Sequence, residues 1–185
     1  MTRSPQRTAE PITLSGGKHG ELAFEWIEDR YHHRWRLGDV ELLSSAEGHS
    51  GGAWPESPPL QQIHLQSFGD GREVVFGVGM SGRGHWSASF TLVPDLKCWI
   101  VELACRSSTK PESLASSYRL SSGWTSASGG SWELPVGEAV ARMEPIPPTT
   151  IAIRTGDVLS LQPALIVDST PSTTQWAFRL RISQQ

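Results

Sequence analysis

The sequence predicts an all-β fold: an antiparallel β-sandwich, jelly-roll-like, with about ten to twelve strands and little or no helix. Three observations lead there. Apolar and polar residues alternate with a period of two through nearly every apolar segment. Turn dipeptides punctuate those segments: Gly38-Asp39, Asp70-Gly71, Pro94-Asp95 and Gly156-Asp157. And no convincing helical stripe exists, since the longest candidate, "VGEAVARMEP" over 136–145, is short and ends at Pro145.

At 185 residues, 37% of them hydrophobic, the chain can bury a proper core as a single domain. That domain is expected over 12–185, after a polar tail, 1–11, expected to be disordered. Net charge is −3, which offers no basic face for nucleic acid. Arginine outnumbers lysine, 13 to 3. The opening "MTRSPQRTAEP" lacks the apolar stretch of a secretory leader, and no apolar run reaches membrane-spanning length. No membrane partner is therefore expected.

The two cysteines, Cys98 and Cys105, lie in one alternating run, "CWIVELAC". Their odd separation puts them on opposite faces of a strand, about 23 Å apart. A disulfide needs Cα atoms within ~7 Å, so the two are expected as reduced thiols, consistent with a soluble, cytoplasmic protein.

In chain order, "ELAFEWIE" and "YHHRWRL" read as a hairpin about Asp29-Arg30. This sets Leu22 against Leu37, Phe24 against Trp35, Trp26 against His33 and Glu25 against Arg34. "LQQIHLQSF" and "REVVFGVG" read as a hairpin about Asp70-Gly71, with Ile63 facing Val78 and Leu65 facing Phe76. "HWSASFTLV" and "CWIVELACR" pair across "PDLK". Trp86, Ala88, Phe90 and Leu92 then meet Cys105, Leu103, Val101 and Trp99, while His85 opposes Arg106 and Ser89 opposes Glu102 on the polar face. Residues 107–131 read as a Ser/Gly-rich loop broken by a short strand near Tyr118. A tight hairpin about Gly156-Asp157 would set Ile151 and Ile153 against Gln162 and Ser160, so a bend or a change of sheet is expected there.

"FGVGMSGRGHW" contains Gly77, Gly79 and Gly82 in the spacing G-x-G-x-x-G, with Glu102 twenty residues on. A dinucleotide fingerprint needs a helix after the glycines, because the pyrophosphate sits at its N-terminus. Here the following segment alternates as a strand, so no cofactor is expected. The glycines instead serve turn geometry, a bulge or close approach of another chain or ligand.

Strand directions place the connections 48–59, 79–84 and 107–117 at one end of the molecule, where loops on a rigid scaffold commonly carry function. Trp54, Arg83, His85, Glu102 and Arg106 are the candidate ligand-binding residues. An indole offers a platform for a sugar ring, and Arg with His can hold an anion or hydroxyls. His32 and His33 point to opposite faces, and no zinc-type spacing of His or Cys occurs, so no metal site is expected. "MSGRG" lacks the strand-to-helix turn of a nucleophile elbow. Glu25 and Glu102 each have a cross-strand partner, and no catalytic residue can be assigned.

The leading expectation is a non-catalytic binding module for carbohydrate or another polar small ligand at the long-loop end, with Trp54 exposed beside an open concavity. A saccharide-acting hydrolase or lyase, with His85 and Glu102 as acid and base, is the second reading. A structural or homo-oligomeric protein using a sheet face that carries Ile27, Ile100 and Val75 is the third.

Overall fold

The computed structural model describes residues 10–48, 52–166 and 168–184. Most of the expected tail, residues 1–9, and His49–Gly51 of the first long loop therefore lie outside the described residues. The period-two segments form β1 (Ile12–Ser15), β2 (Glu21–Ile27), β3 (Arg30–Leu37), β4 (Val40–Ser45), β5 (Gln62–Ser67), β6 (Glu73–Ser81), β7 (Gly84–Val93) and β8 (Cys98–Ser107). They continue as β9 (Ser116–Leu120), β10 (Thr125–Ser126), β11 (Trp132–Val136), β12 (Ala139–Pro145), β13 (Thr150–Thr155), β14 (Val158–Pro163) and β15 (Ser172–Gln184). The "VGEAVARMEP" segment is the last residue of β11, the turn after it and β12. The only helical pieces among the described residues are three three-residue 3-10 turns.

Two antiparallel sheets pack face to face. One runs β1-β2-β3-β4-β9-β14-β13 and the other β10-β11-β12-β15-β8-β7-β6-β5. Among the described residues the strands number fifteen, against the ten to twelve expected, because short pieces such as β1 and β10 add to each sheet's edge. The core forms where the inward rows meet: Phe24 stands edge-on to Phe90 at 5.0 Å, and Tyr118 edge-on to Phe178 at 5.6 Å. Trp35, Trp99 and Trp176 are fully buried in the same layer.

The β7–β8 register is the one the sequence predicts, Trp86 to Cys105 through Leu92 to Trp99, with His85 opposite Arg106. Three other hairpins correct the expectation. In β2–β3 the turn falls at Glu28-Asp29, with Glu28 in the left-handed region at φ 59°, so the pairing shifts by two: Phe24 meets His33 and Trp26 meets Tyr31. A shift of two keeps every side chain on its face, and Glu25 still reaches Arg34 at 3.5 Å.

The β5–β6 error is by one residue, and its effect is larger. Phe68 N–H donates to Arg72 O, and Gly71 takes φ 82°, so the loop is three residues ending in a left-handed glycine rather than a two-residue turn. Ile63 therefore faces Gly77 and Leu65 faces Val75. Phe76, Val78 and Met80 turn outward and are 40%, 47% and 54% exposed, while Val75 is buried. Val75 is thus not an outward residue, whereas Ile27 is exposed and Ile100 is half-buried.

Gly156-Asp157 does close a tight hairpin, with Ile151 opposite Gln162 and Ile153 opposite Ser160. The expected bend is absent because β13 is an edge strand whose outward isoleucines remain exposed.

Candidate functional site

The outward face of the eight-stranded sheet is built from cross-strand rows. One row reads Gln62, Val78, Ser87, Ala104, Gln175; the next reads His64, Phe76, Ser89, Glu102, Ala177. Small side chains therefore meet at the centre of the sheet: Ser87, Ser89, Ala104 and Ala177. With no bulk above them, a trough of about 450 Å³ remains. Phe76 bounds it on the β6 side. Gln175 and Thr149, from β15 and the β12–β13 connection, line it on the other side. Towards the far end of β15 the same face is filled by ions instead. Arg142 pairs with Glu133 and Glu144 at 3.2 Å, and Arg179 pairs with Glu144 at 3.3 Å.

Among the described residues Glu102 is the one ionisable group lining the trough. It is exposed, and the Ser89 hydroxyl donates to its Oε2 at 3.2 Å. It thus keeps most of its acceptor capacity for a ligand. The trough combines an exposed aromatic ring, a carboxylate, a primary amide and hydroxyls around a floor of small side chains. Its size falls within the ~300–1,000 Å³ of small-molecule sites.

The five residues expected to form a site do not converge. Glu102 lies in the trough. His85 and Arg106 are exposed on the same face but two rows nearer the β6–β7 turn, and they do not line it. By strand geometry His85 and Glu102 stand roughly 14 Å apart, beyond the spacing that paired acid–base groups use.

Trp54 corrects the expectation most sharply. It is half-buried and packs on the core, its ring beside the inward side of Gly84. It lies across the sheet from Glu102, so it is not an exposed platform. Arg83 is exposed in the β6–β7 turn. That connection is not a long loop: Ser81 pairs with Gly84 across Gly82-Arg83, with Gly82 at φ 55°.

The glycines of "FGVGMSGRGHW" explain where Trp54 went. A Cβ at Gly79 would fall 1.6 Å from Pro59 O, and one at Gly77 would fall 2.9 Å from Leu60 Cδ2. The bare inward face of β6 admits the 52–61 segment against its backbone, and Gln61 N–H donates to Val78 O at 2.9 Å. The close approach at these glycines is made by the chain's own loop rather than by another chain or a ligand.

Phe76, Gln175 and Thr149 are lining residues that the sequence reading missed. Phe76 was hidden by the one-residue slip. Gln175 and Thr149 were hidden because nothing local sets β15 beside β8.

Away from the trough, His33 is buried and its Nε2 lies 3.0 Å from the Tyr118 hydroxyl in a hydrogen bond. Burial, with the neighbouring His32 adding to it, pulls His33 down to about 3. Burial pushes the Tyr118 phenol well above its usual range. Glu47 is buried near Arg30, and burial pushes it up to about 7 against the pull of Ser45 and Arg30. Both cysteines are free and buried, and burial raises the Cys105 thiol to about 11. Among the described residues no group of three or more His, Cys, Asp and Glu side chains is placed to hold a metal ion. No described helix is long and apolar enough to cross a membrane. Compared with known proteins, the chain matches no family model and no curated protein.

Proposed function

We propose that this jelly-roll-like sandwich is a non-catalytic binding module for a carbohydrate or another polar small ligand, held in the trough across the eight-stranded sheet. The observation that carries the reading is the juxtaposition of the exposed Phe76 ring with Glu102, Ser89 and Gln175 around a floor of small side chains. A sugar presents a C–H face that stacks on an aromatic ring and an edge of hydroxyls that needs acceptors and donors. The trough supplies both. Glycoside hydrolysis needs two carboxyl groups flanking one bond, and among the described residues Glu102 supplies the only carboxylate lining the trough. That favours binding over the hydrolase or lyase reading. A cytoplasmic setting belongs to the same proposal, on the strength of two buried free thiols.

The test is a glycan array followed by calorimetry on any hit, with Phe76→Ala and Glu102→Gln. Each change is expected to weaken binding by about tenfold while leaving the melting temperature within a few degrees. No saturable binding to any glycan, or hits unmoved by both changes, would overturn the reading.

A second reading has its own support. Phe76, Val78 and Met80 form an exposed apolar strip along β6, which suits self-association through the sheet face. Light scattering across a concentration series separates the two, since Val78→Lys dissociates an oligomer but leaves a monomeric binding module monomeric.

A further inference from the structure

A second cavity, of about 300 Å³, opens at the end of the sandwich where the β7–β8 turn meets the last strand. Lys18, His19, Lys97 and Arg181 line it together with Leu96, Ser183 and Gln184, and among the described residues no Asp or Glu does. This concentration is unusual in a chain of net charge −3 with only three lysines, two of which are here.

Among the described residues six of the other cations have carboxylate partners, while Arg36, Arg83, Arg106, Arg119 and Arg154 form no ion pair and stand apart from this cavity. Asp29 holds Arg30, Glu25 meets Arg34, Asp70 holds Arg72, Asp168 meets Lys110, and the Arg142 and Arg179 pairs cover the outward face. Among the described residues no ion pair reaches Lys18, Lys97 or Arg181, and Arg181 Nε is buried without a hydrogen-bond partner. Asp95, in the same turn as Lys97, does not line the cavity.

The frame that presents these groups is fixed. Gly16 N–H donates to Gly20 O at 2.8 Å, and His19 N–H to Gly16 O at 3.0 Å, closing the Gly17–His19 turn. Trp99 Nε1 donates to His19 O at 2.7 Å, and His19 Nδ1 lies 3.4 Å from Ile182 O, tying that turn to the core and to β15. A Cβ at Gly20 would fall 2.6 Å from Arg36 O, so the strap is seated hard against the sheets. Lys97 is held at φ 52° by its N–H bond to Pro94 O.

Three cationic side chains around one concavity raise the local potential and repel one another, and a bound anion relieves both. We infer that this cavity is a binding site for a phosphate- or sulfate-type oxyanion, with the Arg181 guanidinium as its bidentate partner and Lys18 and Lys97 as flanking charges. The volume exceeds that of a bare ion, and Ser183 and Gln184 add polar groups beside the charges. The oxyanion can therefore be a free ion or an ester group on a small molecule.

The test is calorimetric titration at constant ionic strength in chloride, with inorganic phosphate in one arm and ethyl phosphate, an ester that brings no sugar for the trough, in the other. Saturable 1:1 binding is expected, weakened by about tenfold in Arg181→Gln and in Lys97→Asn. Asparagine tolerates the left-handed conformation at position 97, so a loss there reports charge rather than backbone. A tighter fit for the ester assigns the site to a phosphorylated small molecule, and equal affinity assigns it to the free ion. Phe76→Ala is expected to leave either affinity unchanged, which separates this site from the trough. Thermal melts confirm that each variant folds. No saturable binding in either arm up to ~10 mM, or affinities that both charge variants leave unchanged, would overturn the inference.

Discussion

His33 of β3 and Tyr118 of β9 share a buried hydrogen bond of 3.0 Å that reaches across the intervening strand β4. The same hydroxyl accepts from Ser116 Oγ at 3.0 Å, and the His33 backbone N–H donates to Ser45 Oγ at 2.9 Å. A polar cluster thus sits inside an aromatic layer, where an unmade bond costs the full desolvation of the group left behind. Tyr118→Phe removes one oxygen and little volume. It should lower the unfolding free energy by ~1–3 kcal/mol, measured by urea denaturation. A neutral result would mean that His33 finds another partner at no cost.

The same histidine contributes to the acid limb of the stability profile. Folding lowers His33 from 6.5 to about 3, so between those values the unfolded chain binds a proton that the folded chain does not. Its contribution is complete above pH 6.5 and is lost as pH falls towards 3. Glu47 works in the opposite sense: folding raises it from 4.5 to about 7, so its contribution is complete below 4.5 and is lost as pH rises to 7. Between 4.5 and 6.5 the two slopes, each up to ~1.4 kcal/mol per pH unit, oppose one another. Urea midpoints over this window should be nearly flat in the native sequence and should rise with pH in Glu47→Gln. Parallel profiles for the two proteins would refute this assignment.

The close seat of the 52–61 segment on β6 makes a backbone prediction. Gly79→Ala puts a methyl group where Pro59 O stands, at 1.6 Å, and backbone cannot swing aside as a side chain can. A loss of at least about 2 kcal/mol is expected. Gly69→Ala meets nothing within 4 Å and should be neutral. Thermal melts of the two variants make the comparison, and similar melting temperatures would mean the loop lifts freely from the strand.

The β5–β6 register can be read from charge tolerance. Val78→Asp faces solvent and should cost no more than about 0.5 kcal/mol, whereas Val75→Asp buries a charge and should cost more than about 4 kcal/mol or abolish folding. The register expected from the sequence puts Val78 inside and predicts the reverse order.

These particulars show what was legible in the sequence. Alternation fixed the fold class and, for β7–β8, every partner, because a polar row from His85 to Ser89 leaves one choice of inward face. Turn chemistry was less reliable. Asp70-Gly71 signals a turn, but whether Gly71 is its second or third residue depends on how Arg72 folds back to Phe68, and that one residue decides whether Phe76 is core or trough wall. A left-handed Glu28 has no sequence signature at all. Of the candidate site, Glu102 was found because it stands mid-strand on a polar face. Trp54 was misplaced because a loop tryptophan carries no sign of which side of a sheet it will cover. Gln175 was unseen because its position depends on β15 pairing with β8 across more than sixty residues of chain.

The β6 glycines also change how the two layers are joined. The layers of a sandwich are ordinarily held by side chains alone, which leaves them some freedom to slip. Here Leu60 O accepts from Tyr31 N–H of one sheet while Gln61 N–H, the next residue, donates to Val78 O of the other. A second tie joins Thr150 Oγ1 of β13 to both the N–H and the O of Ala177 in β15, at 2.9 and 2.6 Å. The two sheets are thus stitched through hydrogen bonds at two points. Their offset is set by bond geometry as well as by packing, and neither layer can shear past the other without breaking a seam.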